Sequence, residues 1–349
     1  MPVAKVGCNG GVTCASACID QQDLIDAPEL TAYIVDYNEE VDKLSLEQYY
    51  TINKIVRERK EAPEAKSIMD YMMKHTITME MVGNMSSTNG RSDEGNETDS
   101  QYMENYAAAG PNSENRPSGL YQMMLSQITG FTLKGVIWYQ GEADVEKGSM
   151  YSKLFSKMIE CWRRDWKDEL PFLFVQLAPF GQWLYSQGDK FPIVRKQQEM
   201  VSKTINDTYM VSVSDAGDEF DIHPKNKRPV GYRLALCARN KVYRENLLSD
   251  APEVSEFKKE GKVIILSFLH CEGLYITGNT LEAVKIYVDN SKVNDFEYKI
   301  DGEKLLLISE QFEQVRWFRI EFASTGYYKV NLYNIAGIPA KPFLFEGMA

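Results

Sequence analysis

Lys134-Gly135-Val136-Ile137-Trp138-Tyr139-Gln140-Gly141-Glu142-Ala143-Asp144 is the stretch whose reading decides the fold. Its apolar run, Gly135 to Tyr139, stops in a polar turn that contains glycine, as expected of a strand buried on both faces. Leu154, Phe155, Met158, Ile159, Trp162 and Trp166 follow at helical spacing, so one apolar stripe faces a core. The stripe makes Trp162 and Trp166 core packing and not a sugar platform. The alternation then repeats. Phe172 to Leu177 reads as a second strand, Val194 to Lys203 as a helix, Tyr209 to Ser214 as a third strand, and Tyr232, Leu234, Ala235 and Ala238 as one helix face. Strand and helix in alternation predict an α/β fold, a parallel sheet flanked by helices. In such sheets the ligand crevice lies outside the carboxyl ends of the strands.

Towards the start of the chain, Val3 to Val6 fits another strand and Asn9-Gly10-Gly11-Val12-Thr13 a tight loop after it. Residues 44 to 60 read as a helix with Ser45 as N-cap, Gln48 three places on, and Leu44 stapled against Tyr49. Pro63 ends it. From Gly83 to Gly119 the chain is rich in Asn, Ser, Gly and Glu and reads as a long surface loop. After about Asp250 the helical period disappears. Val263–Phe268, Val284–Val288, Lys304–Ile308, Arg316–Phe322 and Lys329–Tyr333 are strand candidates, with a hairpin turn at Asp301-Gly302. The expected division is therefore an α/β domain over 1–249 and a small all-β sandwich module over 250–349.

Composition narrows the partners. The 349 residues carry 39 Lys+Arg against 50 Asp+Glu, a net charge of −11, which is a poor match for nucleic acid or an anionic membrane. No apolar run approaches the roughly 18 residues needed to cross a bilayer, and the opening residues show no signal-peptide pattern. Six cysteines (Cys8, Cys14, Cys18, Cys161, Cys237 and Cys271) form no C-x-x-C pair, and only three histidines accompany them. Reduced thiols, a cytoplasmic protein and no bound metal are the expectations.

Three loops fall just past the predicted strand ends: Asn9-Gly10-Gly11, Gln140-Gly141-Glu142-Ala143-Asp144, and Asp218-Glu219-Phe220-Asp221-Ile222-His223-Pro224. Small, amide and His/Asp residues at one edge suit ester hydrolysis. Backbone N–H groups beside glycine, with a side-chain amide, stabilise the oxyanion of a tetrahedral intermediate. A histidine oriented by a carboxylate serves as general base towards a serine. His75 and His270, outside such contexts, read as structural.

At this point a resemblance becomes specific. Lys134 to Asp144 resembles the signature of the sialate O-acetylesterase family of SGNH hydrolases. Asp221-Ile222-His223-Pro224-Lys225-Asn226-Lys227 with Val230-Gly231-Tyr232-Arg233-Leu234-Ala235 resembles that family's last block. Asn115-Arg116-Pro117-Ser118-Gly119-Leu120-Tyr121, Pro171 to Ala178, and Asn331-Leu332-Tyr333-Asn334 match in order. The resemblance implies an SGNH-type parallel sheet and removal of O-acetyl groups from sialic acid or a related acetylated sugar, with no metal or organic cofactor. It makes His223 the base and Asp221 its carboxylate partner, with Glu219 the alternative because the wider superfamily places its aspartate three residues before the histidine. It makes Gly11 and Gln140 oxyanion-hole donors, and has Glu142 and Arg116 line the substrate pocket.

Two departures carry expectations of their own. The family's Asn-Trp-Gly-Gly-Thr loop reads Asn9-Gly10-Gly11-Val12-Thr13 here, with a valine where positive φ is unfavourable. The family's nucleophilic serine lies in a Gly-x-Ser-Asn-Met-like block ahead of that loop, and residues 1–8 contain none. Gly83-Asn84-Met85-Ser86-Ser87 has the wrong order, and Ser118 reads as a turn residue without a strained elbow. The chain is thus expected to be an inactive esterase by itself. The alternatives are a non-catalytic, carbohydrate-binding remnant and an acetylxylan esterase-like enzyme. Oligomeric state is not readable.

Overall fold

The computed structural model describes residues 14–42, 116–183 and 186–348. The expected strand at Val3–Val6, the loop with Gly11, the helix over 44–60 and residues 83–115 of the long loop lie outside the described residues. The chain divides into two compact units. One comprises Thr129–Ala349 with the segment ending at Ala15, and the other spans Ser16–Ile128.

The larger unit begins with β1 (Val136–Trp138), α1 (Tyr151–Trp166), β2 (Phe172–Val175), α2 (Phe191–Thr204), β3 (Thr208–Val211) and α3 (Arg228–Cys237). β1, β2 and β3 are parallel neighbours in that order, with Val136 opposite Phe172 and Phe172 opposite Thr208. Side chains alternate across β2, so its two faces receive different helices. Phe172 and Phe174 meet α1, where Phe155 packs edge-on against both rings and stacks on Trp138. Leu173 and Val175 join Val230, Leu234 and Cys237 of α3 on the opposite side. The fold is thus the expected α/β arrangement, a parallel sheet flanked by helices. Trp162 is 2% exposed and packs on Trp138, in line with a core role. One detail differs: Ile137 of β1 is 37% exposed, so that strand is not buried on both faces.

From Glu253 onward every strand pairing is antiparallel. The strands are β4 (Glu253–Glu260), β5 (Val263–Leu269), β6 (Val284–Val288), β7 (Ser291–Val293), β8 (Glu297–Asp301), β9 (Lys304–Ile308), β10 (Trp317–Phe322) and β11 (Phe343–Met348). They form two four-stranded sheets, β8-β9-β5-β4 and β7-β6-β10-β11. Ile264, Leu266, Leu305 and Leu307 of one sheet share a core with Ile286, Phe318, Ile320 and Phe322 of the other, which makes a sandwich. The hairpin at Asp301-Gly302 is present, with Asp301 opposite Lys304 and Gly302 at φ 58°. The candidate at Lys329–Tyr333 shrinks to Leu332–Tyr333, paired with Tyr275–Ile276.

The smaller unit contains helices at Gln21–Ile25, Thr31–Asp42 and Gly119–Met123. No helix among the described residues is long and apolar enough to cross a membrane.

Candidate active site

β1 delivers Gln140 and Glu142, and β3 delivers the segment from Asp215 to His223, both from carboxyl ends of the parallel sheet. Between them β2 continues into Gln176-Leu177-Ala178. The turn at Gly141 explains how the first loop leaves its strand. Gly141 sits at φ 152°, and a Cβ there would lie 3.1 Å from Leu177 Cδ2 and 3.2 Å from Gln198 Nε2. The positive φ favours glycine, and the Leu177 and Gln198 side chains would have to shift to admit a Cβ.

Gln140 is 5% exposed and is held from several sides. Its Nε2 donates to Asp144 Oδ2 at 2.6 Å, the Tyr151 hydroxyl donates to its carbonyl oxygen at 3.0 Å, and Gln198 Nε2 donates to the same oxygen at 3.2 Å. Burial, with Asp144 nearby, pushes the Tyr151 phenol well up, so it stays a donor. Asp144 also accepts the Ala15 backbone N–H at 3.0 Å, and the Cys14 thiol donates to the Ala143 carbonyl at 3.3 Å. The residues that follow the Gly11 loop are therefore anchored on the Gln140 loop. Gly11 itself lies outside the described residues.

The second loop is an Asx turn. The His223 backbone N–H donates to Asp221 Oδ1 at 2.7 Å, while His223 Nδ1 lies 3.8 Å from that oxygen, beyond hydrogen-bond range. Both side chains are about a quarter exposed. Glu219, the alternative partner, is exposed, and its carbonyl accepts the N–H groups of Gly181 and Gln182. A cavity of about 490 Å³ opens beside this loop, lined by Asp215, Asp218, Phe220, Asp221, Pro224 and Lys225. Asp215 is neutralised there by a two-pronged bond from the Arg233 guanidinium, at 2.6 and 2.8 Å. Among the described residues no group of three or more His, Cys, Asp or Glu could hold a metal ion.

Lys227 joins the two loops. Its ammonium sits 4.9 Å from the Tyr139 ring centre, and burial lowers its pKa against the opposing fields of Glu142 and Asp221. Glu142 is shifted the other way. Desolvation raises its carboxyl, Asp144 adds to the rise, and Lys227 and nearby backbone N–H groups oppose it. The sign for stability follows from linkage. A carboxyl whose folded pKa is raised binds more protons than in the unfolded chain, so stability falls as pH climbs from the unfolded to the folded pKa. Glu142→Gln abolishes that loss. Its melting temperature relative to the wild type should therefore be higher at pH 8 than at pH 4, by thermal melts across that range; a difference that is flat with pH would refute the burial argument.

Of the predicted residues, Glu142 and Asp221 both act on Lys227, and Gln140 and His223 stand in the same two loops as these carboxylates. Arg116 belongs to the smaller unit, where its Nη2 donates to Gln122 Oε1 at 2.7 Å. Sequence reasoning assigned no role to Asp144, Tyr151, Gln198 or Lys227. Lys227 stands in the quoted motif, so its signal was present, whereas Gln198 on the buried face of its helix gave none.

Ser118 corrects the expectation of an unstrained turn. It adopts φ 63°, ψ 4°, is fully buried, and its hydroxyl has no hydrogen-bond partner among the described residues. A left-handed non-glycine residue costs about 1–2 kcal/mol, and a buried unsatisfied hydroxyl about 1–3 kcal/mol more. After the chain entropy that glycine adds to the unfolded state, Ser118→Gly should stabilise by about 1 kcal/mol. Urea titration measures this, and a loss of stability would show that the hydroxyl is used.

Parts of the chain are similar to known carbohydrate esterases. Residues 98–238 match the family model described as carbohydrate esterase, sialic acid-specific acetylesterase. The sialate O-acetylesterase of Mus musculus is 33% identical over 153 residues, 38% of this chain and 28% of that protein. The Homo sapiens sialate O-acetylesterase is 32% identical over 154 residues, 39% of this chain and 29% of that protein. The match thus spans under a third of the length of these curated relatives. A carbohydrate acetylesterase from Xanthomonas citri, known from its crystal structure, is 31% identical with a TM-score of 0.57, covering 67% of this chain and 55% of that one.

Proposed function

We propose that the chain, whose residues 98–238 match the family model of carbohydrate esterase, sialic acid-specific acetylesterase, has a site built to remove O-acetyl groups from an acetylated sugar, sialic acid or a related one. His223 is the base, Asp221 its carboxylate partner, and Gly11 and Gln140 the oxyanion donors. Glu142 and Arg116 serve the substrate pocket. In the full mechanism a serine attacks the acetyl carbonyl and its proton passes to His223. The tetrahedral oxyanion is held by N–H donors, and water then releases acetate. The observation that carries this reading is the meeting of the Gln140–Glu142 and Asp221–His223 loops at Lys227, on one edge of a parallel sheet. The domain division proposed with it is 1–249 for the hydrolase part and 250–349 for the β module.

No Gly-x-Ser-Asn-Met block occurs among these 349 residues, which by themselves are proposed to be a very poor esterase. A second reading, a carbohydrate-binding remnant, is favoured by two distances. The Gln140 amide already donates to Asp144, and the Asp221 carboxylate caps a backbone N–H while the ring stands 3.8 Å away. The test is hydrolysis of p-nitrophenyl acetate, 9-O-acetylated sialic acid and acetylxylan by the purified chain, with and without an added serine block. Turnover that appears only with the block supports the esterase reading. Absence of turnover in both, with retained binding of acetylated sugar, supports the remnant. His223-dependent turnover without the block would reveal a replacement nucleophile.

A further inference from the structure

The segment that carries Asp221 and His223 is not positioned by the parallel sheet alone. The Glu219 carbonyl accepts the N–H groups of Gly181 at 3.1 Å and Gln182 at 2.8 Å, and Phe180 forms a parallel bridge with Asp218. Residues 180–182 are therefore the shelf on which the histidine loop rests. That shelf is fixed from the antiparallel part of the molecule. The Phe180 N–H donates to the Gly326 carbonyl at 3.0 Å, in the connection between β10 and β11. The fit is close: a Cβ on Gly326 would stand 2.3 Å from the Gly188 carbonyl oxygen.

Arg195 of α2 locks the junction. It is 2% exposed, and its guanidinium lies 4.9 Å from the Tyr328 ring centre. Nε donates to Leu177 O at 2.9 Å and Nη2 to Ala178 O at 2.9 Å, both on the continuation of β2. Nη1 donates to Thr325 O at 2.7 Å and Nη2 to Gly326 O at 2.7 Å, both on the β10–β11 connection. One rigid fork thus reads two carbonyls from each side. Burying a cation is costly, and apolar packing would join the two parts with less penalty. What the guanidinium adds is direction, because hydrogen bonds fix distance and angle where apolar contact does not. At the near end of the same loop, Arg233 holds Asp215 by its fork and donates to Gly337 O at 3.2 Å, again in the antiparallel part.

We propose that the β sandwich is the positional reference for the catalytic histidine, with Arg195 the positioning residue that transmits it. Its bearing on catalysis rests on the esterase reading; the placement itself does not. The test uses the whole chain labelled at histidine Cε1, since three histidines (His75, His223 and His270) give an assignable spectrum. Arg195→Lys cannot reproduce the four-carbonyl fork and should move the His223 signal by more than its line width, leaving His270 in place. Arg163→Lys is the control. Arg163 also bonds backbone carbonyls, those of Leu170 and Asn206, but at the amino ends of the strands. It should leave His223 unmoved. If Arg195→Lys does not fold, Tyr328→Leu, which removes only the ring beneath the fork, decides by the same signal.

An unmoved His223 signal in the folded variant, or an equal shift from Arg163→Lys, overturns the proposal. Where ester turnover is measurable, Arg195→Lys should lower kcat and leave KM. A chain supplied with the serine block that still hydrolyses nothing yet shows the His223 shift would sink the esterase reading and leave the positioning role standing. Full turnover with an unmoved signal would do the reverse.

Discussion

His223→Ala, made in a polypeptide supplied with the family's serine block, is expected to lower acetyl-ester turnover by about 10⁴–10⁶, the range found when a base is removed from a serine–histidine pair. The residual rate belongs to the oxyanion donors and to binding. Asp221→Asn should behave differently from the usual carboxylate of such a triad. A carboxylate bonded directly to the imidazole is worth about 10⁴, whereas here Oδ1 caps the His223 backbone N–H and stands 3.8 Å from Nδ1. A loss far smaller than 10⁴ is expected. Steady-state rates for the two variants side by side give the answer, and a loss in Asp221→Asn equal to that of His223→Ala would mean that the carboxylate closes on the ring when substrate binds.

Phe155→Ala should be the most damaging of the core truncations. The ring is fully buried and contacts Trp138 of β1, Tyr151 of its own helix, and Phe172 and Phe174 of β2. Removing it deletes the group that ties helix to both strands, and about 3–5 kcal/mol of stability goes with it. Phe155→Leu, which keeps most of the volume, should lose less. Denaturant titration monitored by tryptophan fluorescence reports the transition, since Trp138 and Trp162 line the same contact. A loss below 1 kcal/mol would mean that the helix is not anchored as described.

The parallel sheet was legible because its buried strands are written in uninterrupted apolar residues. Phe172-Leu173-Phe174-Val175 has every residue buried, and α1 places its apolar residues on one stripe. The sandwich interior was legible for the same reason. Four of its strands, β4, β7, β8 and β11, were not read, and all four are sheet edges. Edge strands carry charge that discourages pairing with other chains, so Glu253 to Glu260 shows a lysine- and glutamate-rich pattern in place of a clean alternation. Of the candidate site, the motif residues Gln140, Glu142, Asp221 and His223 were legible and their supports were not. Arg195 and Gln198 sit on the buried face of α2 with Val194 and Val201, but a polar residue on such a face reads as surface until its carbonyl partners are seen. Those partners come from distant parts of the chain, and spacing within one helix carries no record of them.

The Arg195–Gly326 contact joins residues 131 positions apart, and the Ala15–Asp144 contact joins residues 129 apart. Contacts of such separation form late, because the entropy of closing a long loop must be met before they add stability. On the ribosome, where domains emerge from the amino end, the stretch that contains His223 is made about a hundred residues before Thr325 and Gly326 exist. The nascent chain therefore passes through a stage with the histidine loop present and its shelf unanchored. Competence arrives only once Gly326 has been made, so a transcript cut short between these points yields a polypeptide with the recognisable motif and an unset histidine.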